Sequence, residues 1–63
     1  MTDAELWAMS IDISRETDRS QTFKARVTTF LENAGVTLDY DQSWLLAQYV
    51  RVNDEFETQR KAD

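Results

Sequence analysis

The chain is short and acidic: its 63 residues include 12 acidic and 7 basic side chains, giving a net charge of −5, and neither Cys nor His is present. The acidity argues against autonomous nucleic-acid binding, which needs a basic face for the phosphates. Without Cys no disulfide can form, and a structural metal is not expected because His is absent and the carboxylates show no calcium-loop spacing.

The first segment predicts a helix over about residues 3–16. Thr2-Asp3-Ala4-Glu5 has the pattern of a capping box, in which a hydroxyl and a carboxylate each bind a free backbone amide. Apolar residues then recur at helical spacing, at Leu6, Met9 and Ile13. The alternation in Trp7–Ile13 also fits a strand, but a helix is favoured because the cap agrees with it and a lone strand has no partner.

A second helix is predicted over about residues 20–33, after a polar stretch in which Asp18 and Ser20 are both candidate caps. Its apolar residues recur every three or four positions, at Phe23, Val27, Phe30, Leu31 and Ala34. Lys24 and Arg26 are expected on its solvated face.

A third helix is predicted over about residues 41–58, with Asp39 or Asp41 as its cap. One face contains Trp44, Leu45, Tyr49, Val52 and Phe56. The sequence after Phe56 is polar, so residues 57–63 are expected to form a frayed tail.

These patterns predict an all-α fold of three short helices in one domain, residues 1–63. A chain of this size buries a small core, yet it carries seven aromatic residues. We therefore expect it to wrap around a partner protein rather than form an independent bundle. The expected partner interface consists of Phe23, Val27, Phe30, Leu31, Trp44, Leu45, Tyr49, Val52 and Phe56.

An enzyme is not expected, because the usual nucleophile–base pairs require Cys or His and the acid pairs in this chain diverge on a helix. No cofactor and no metal are expected. No segment has the composition of a signal peptide or the length of a membrane span, so the expected location is the cytoplasm and no membrane partner is expected.

Thr28 and Glu32 are separated by one helical turn, so their side chains lie on the same face of the second helix. Glu32 falls in the last turn, where the helix dipole disfavours an acid unless a cation is near. Asn33 tolerates the left-handed conformation that ends helices, and Gly35 follows closely. The segment therefore presents an acid and a hydroxyl together at a helix end.

The segment Thr28-x-x-x-Glu32-Asn33 resembles the inhibitory motif of antitoxins for Fic-domain toxins, written Ser/Thr-x-x-x-Glu-Gly/Asn. Those antitoxins are similarly short helical chains. Here Phe30-Leu31 replaces the Arg-Leu that often precedes the Glu, and Asn33 replaces the more usual Gly. The resemblance covers about residues 20–52.

The resemblance implies a heterodimer in which Glu32 pairs with a catalytic-motif Arg of the Fic adenylyltransferase and prevents productive ATP binding. Thr28 would support the motif, and Asn33 would end the helix. Two other functions fit the composition. One is an acidic inhibitor of phage or plasmid type that mimics nucleic acid in a basic groove, and the other is a homo-oligomeric helical scaffold.

Overall fold

The structure is a computed structural model that describes residues 1–62, with side chains described for residues 1–60. It contains three helices, α1 (Asp3–Glu16), α2 (Phe23–Ala34) and α3 (Tyr40–Ala62), and no strand within the described residues. The all-α prediction is confirmed, and the segment Trp7–Ile13 is helical.

The helices pack side by side, with α1 and α3 running in the same direction. Gln42 donates to the Met1 carbonyl at 3.1 Å, Trp7 meets Tyr49, and Asn53 donates to Ser10 at 2.7 Å, so contacts advance along both helices together. The short connections 17–22 and 35–39 each reverse the direction of the chain, so α2 runs antiparallel to both α1 and α3.

Each helix is preceded by a capping residue whose side chain accepts a hydrogen bond from a free backbone amide of the first turn. Thr2 and Glu5 form the expected capping box of α1. Thr22 accepts from Ala25 at 3.1 Å and begins α2, and Asp39 accepts from Gln42 at 2.8 Å at the start of α3. The predicted start of α2 at residue 20 was too early, because the Asp18 carboxylate accepts from the Ser20 amide and holds that segment in a turn.

Helix α2 ends at Ala34, with Gly35 as its C-terminal cap, and not at Asn33. Gly35 has φ +70°, and its amide donates to the Glu32 carbonyl while that of Val36 donates to the Leu31 carbonyl. This is the pair of hydrogen bonds of a Schellman motif, which favours Gly because a left-handed residue without a Cβ is unstrained. Asn33 stays helical, so its predicted role in ending the helix is wrong.

One apolar core joins the three helices. Its buried side chains are Leu6, Ile13, Val27, Leu31, Leu46 and Val50. Val27 and Leu31 were expected at a partner interface, but they are 4% and 8% exposed and pack within the chain. The α2 stripe that contains them faces the chain's own core because the loop at 35–39 folds α3 back against it.

Arg26 is buried as well, which contradicts the expectation of a solvated face. Its side chain is 1% exposed, and its guanidinium forms two hydrogen bonds with Asp54 on α3, at 2.6 and 3.0 Å. Burial acts to raise the pKa of Asp54, but the hydrogen bonds from Arg26 and Ser14 outweigh it and hold the pKa below its usual value.

Helix α3 continues past residue 58, where the sequence predicted its end and a frayed tail from residue 57. Two polar contacts extend the packing. Glu57 forms an ion pair with Arg15 at 3.0 Å, and Arg19 donates to the Thr58 hydroxyl at 3.0 Å. Residue 63 lies outside the described residues.

Candidate partner-binding site

The edge of α2 that carries Thr28 and Glu32 is exposed. Lys24, Thr28 and Glu32 succeed one another at four-residue spacing and so form a row along this edge. Among the described residues, the side chains of Thr28 and Glu32 form no hydrogen bond and no ion pair with another part of the chain. Their groups are therefore available to a partner.

An open groove of about 470 Å³ lies between this row and α3. Apolar side chains of the core and of the 35–39 connection line its interior, namely Val27, Leu31, Leu38 and Ala47. Lys24 and Thr28 border it on α2, and Tyr40 and Trp44 border it on α3. Trp44 is 58% exposed, which is unusual for one of the two largest apolar side chains in a chain with so small a core.

Two acidic side chains lie where α2 ends and α3 begins, Asp39 in the lining of the groove and Glu32 outside it. Glu32 lies in the last turn of α2, and that turn contains no basic residue to balance the partial negative charge of the helix end. A cation supplied by another molecule would be attracted to this region.

Asn33 lies on the opposite side of α2 from Thr28. The two residues are five positions apart, or about 140° around a helix. Asn33 lines a different hollow, which also contains Thr17, Thr29 and Phe30. The structure thus brings Thr28 and Glu32 together and separates Asn33 from them.

The residues expected at a partner interface divide into three groups. Val27 and Leu31 belong to the core, while Phe30, Leu45 and Tyr49 are half-buried against it. Four are exposed to a greater degree, namely Phe23, Trp44, Val52 and Phe56. Trp44 borders the groove, whereas Tyr49, Val52 and Phe56 share another face of α3, so the nine residues do not form one continuous surface.

The polar cluster around Arg26 and Asp54 was not predicted from the sequence. Ser14 and Arg26 both donate to the Asp54 carboxylate, and Arg26 also donates to the Thr17 hydroxyl. No buried side-chain polar atom among the described residues lacks a hydrogen-bond partner. The cluster is internally satisfied, and we assign it to the fold rather than to binding.

In the described part of the chain, no group of three or more acidic side chains is placed to hold a metal ion. Residues 1–62 also contain no helix with both the length and the apolar character needed to cross a membrane. Comparison with protein-family models, with curated proteins and with solved structures finds no match to this chain.

Proposed function

We propose that this chain is a small antitoxin that binds a Fic-domain adenylyltransferase and inhibits it with Glu32. The observation that carries the proposal is the placement of Glu32. It is exposed, and it has no cation of its own chain within 4 Å among the described residues. It also stands one helical turn from Thr28, which lines an apolar groove.

The proposed inhibition is a competition for one guanidinium. A carboxylate binds Arg through two parallel hydrogen bonds, and a nucleotide phosphate uses the same donors. Glu32 on the enzyme's Arg would exclude the phosphate from its productive position. Because the Glu32 backbone is fixed in α2, little conformational entropy would be lost on docking.

In this proposal the chain docks as a folded domain, and the groove supplies most of the affinity. The six core side chains are already buried within the chain, so they are not available to the partner. Trp44 and Tyr40 are available, at 58% and 81% exposure. Aromatic side chains of this kind are frequent binding hot spots.

The test is co-expression of this chain with a Fic protein from the same operon or genome, followed by an assay for transfer of labelled AMP from ATP. The Glu32→Gly variant should co-purify with its partner, with affinity reduced by less than about tenfold. Unlike the parent complex, the variant complex should transfer AMP.

Glu16→Gly is the matched control, because Glu16 is also exposed and also lies in the last turn of a helix. The Glu16→Gly complex should remain unable to transfer AMP. Continued silence of the Glu32→Gly complex would refute the role of Glu32, and failure of any Fic protein to bind would refute the function.

A further inference from the structure

A second surface, on the face shared by α1 and α3, is apolar along its middle. On α1 the spacing of four residues aligns Trp7 with Ile11, and the Trp7 ring meets Tyr49 edge-on at 5.2 Å and 74°. Spacings of four, three and four residues align the α3 side chains. We call this surface the α1–α3 strip, and its members are Trp7, Ile11, Leu45, Tyr49, Val52 and Phe56.

The strip is only partly covered by the chain itself. Trp7 is 37% exposed, Val52 38% and Phe56 53%. None of these three side chains belongs to the buried core. A contiguous apolar surface on so small a protein is typical of an interaction site.

Charges of opposite sign lie at the two ends of the strip. Asp3 and Asp41, both exposed, lie in the first turns of α1 and α3, and those turns share one end because the helices are parallel. Arg15 and Arg60 lie at the other end, where they are 52% and 71% exposed. Glu57 contacts both arginines, at 3.0 and 3.8 Å. Glu16, in the same turn of α1, lines the hollow beside α2 instead, so the strip itself carries two cations and one anion at this end.

We propose that the strip binds the same strip of a second copy of this chain, in an antiparallel dimer with two-fold symmetry. This inference goes beyond the proposed function and uses a different surface. In an antiparallel pair the acidic end of each copy meets the basic end of the other, whereas a parallel pair would place like charges together. The charge pattern therefore selects both the occupant and its orientation.

The spacing of the charges suits the two-fold axis. On α3 the midpoint between Asp41 and Arg60 falls between residues 50 and 51. The midpoint between Asp3 and Arg15 on α1 falls at the same level, because the Trp7–Tyr49 contact offsets the two helices by 42 residues. A single two-fold axis through the middle of the strip therefore places Asp3 opposite Arg15 of the second copy and Asp41 opposite Arg60 of the second copy.

Sedimentation equilibrium on the full chain tests for the dimer, and charge variants test its chemistry. The wild-type chain should form a reversible dimer whose population rises with concentration and is detectable by about 1 mM. Arg15→Glu combined with Arg60→Glu should weaken association at least about tenfold, and so should Asp3→Lys combined with Asp41→Lys. A mixture of the two double variants should associate again, because each supplies the charge that the other lacks. Circular dichroism checks that each variant remains folded.

Single cysteines test the orientation, since the chain has none of its own. Val52→Cys lies near the proposed axis and should form a disulfide-linked dimer on mild oxidation. Gln59→Cys should not, because antiparallel packing separates it from its copy by about 25 Å along the helices. Thr29→Cys, exposed on α2, is the control for random collisions.

A chain that stays monomeric at about 1 mM would overturn the proposal. So would equal cross-linking of the three cysteine variants, or a dimer that is unaffected by charge reversal. Glu32→Gly lies on α2 and should leave dimerisation unchanged, so this inference and the proposed function can fail independently.

Discussion

The Arg26 guanidinium and the Asp54 carboxylate form a buried pair with two hydrogen bonds, Nη1–Oδ2 at 2.6 Å and Nη2–Oδ1 at 3.0 Å. The two side chains are 1% and 16% exposed. Ser14 donates to the same carboxylate at 2.6 Å, and Arg26 Nε donates to the Thr17 hydroxyl at 2.8 Å. One ion pair thus connects α2 to α3 and to the end of α1.

Removing one member of this pair should unfold much of the protein. Arg26→Met leaves the Asp54 carboxylate without its main partner, and Asp54→Leu leaves a buried guanidinium unpaired. Breaking a buried pair in this way costs about 3–5 kcal/mol, which approaches the whole stability expected of a domain this small. Urea unfolding followed by circular dichroism measures the loss.

The double variant Arg26→Met with Asp54→Leu should recover most of the lost stability, because no charge is left buried without a partner. Arg15→Met is the matched control. This variant breaks the Arg15–Glu57 ion pair, in which the Arg15 side chain is 52% exposed, and should lower the free energy of unfolding by less than about 1 kcal/mol. A double variant no more stable than the single variants would contradict this explanation.

Stability should also fall in acid, in a pH range set by carboxylates whose pKa is lowered in the folded state. The Asp54 pKa is lowered because the hydrogen bonds from Arg26 and Ser14 outweigh the effect of burial, and the Glu57 pKa is lowered chiefly by the hydrogen bond from Arg15. A group with a depressed folded pKa stabilises the fold above its unfolded pKa, and that contribution disappears as pH falls through the folded value. For Asp54 the loss begins near pH about 4, close to the ordinary pKa of Asp.

Melting temperatures measured from pH 7 down to about pH 2 test this expectation. The melting temperature of the wild-type protein should be nearly constant above about pH 5 and should fall below about pH 4. The double variant Arg26→Met with Asp54→Leu should lose less stability over the acidic range, since it lacks the central carboxylate. A wild-type transition centred above about pH 5 would show that other groups control acid unfolding.

The helices were predictable because their signals are local. The capping box at Thr2 and Glu5 and the apolar spacing of α1 lie within a few residues of one another. The pairing of Arg26 with Asp54 was not predictable in this way, because 28 residues separate them and Arg is usually exposed on a helix. The same holds for Glu57, whose contact with Arg15 continues α3 through a polar sequence.

In the candidate site, too, the features set by local spacing were predictable and those set by the packing of the helices were not. Spacing alone places Thr28 and Glu32 on one edge of α2, which is what the structure contains. The groove beside them could not be predicted, because Trp44 and Tyr40 reach it only through the fold of the 35–39 connection. For Val27 and Leu31, the apolar period is the same whether the stripe faces a partner or the chain's own core, and only the packing decides.

Trp44 and Leu46 should respond oppositely to truncation, although they are two residues apart. Leu46 is fully buried, so Leu46→Ala should cost about 2–5 kcal/mol of folding stability. Trp44→Ala should change stability little, because the side chain is 58% exposed, but it should weaken partner binding by about 2 kcal/mol. Thermal melts and calorimetric titration with the partner separate the two effects. Unfolding of the Trp44→Ala variant would show that Trp44 belongs to the fold.

Gly35 should be the position in the 35–39 connection most sensitive to a gained side chain. Its φ of +70° strains any residue with a Cβ, although no atom lies within 4 Å of the Cβ position. Gly35→Ala should therefore cost about 1 kcal/mol from backbone strain alone. Gly35→Asn should cost less, because Asn tolerates this conformation. Equal melting temperatures for the wild type and the Ala variant would contradict a left-handed Gly35.

Glu32 should affect folding and inhibition in opposite directions. An acid in the last turn of α2, where no basic residue answers it, opposes the helix dipole, so Glu32→Gln should stabilise the isolated chain by a few tenths of a kcal/mol. The same change should abolish inhibition of the proposed Fic partner, because an amide cannot replace a carboxylate on Arg. Glu5→Gln is the matched control: Glu5 lies in the first turn of α1, where the dipole favours an acid and Thr2 binds it, so this change should destabilise the chain. Chemical unfolding and AMP transfer measured on the same preparations distinguish the outcomes. A Glu32→Gln chain that is less stable than wild type would show that Glu32 serves the fold, and would remove the physical reason for assigning it to a partner.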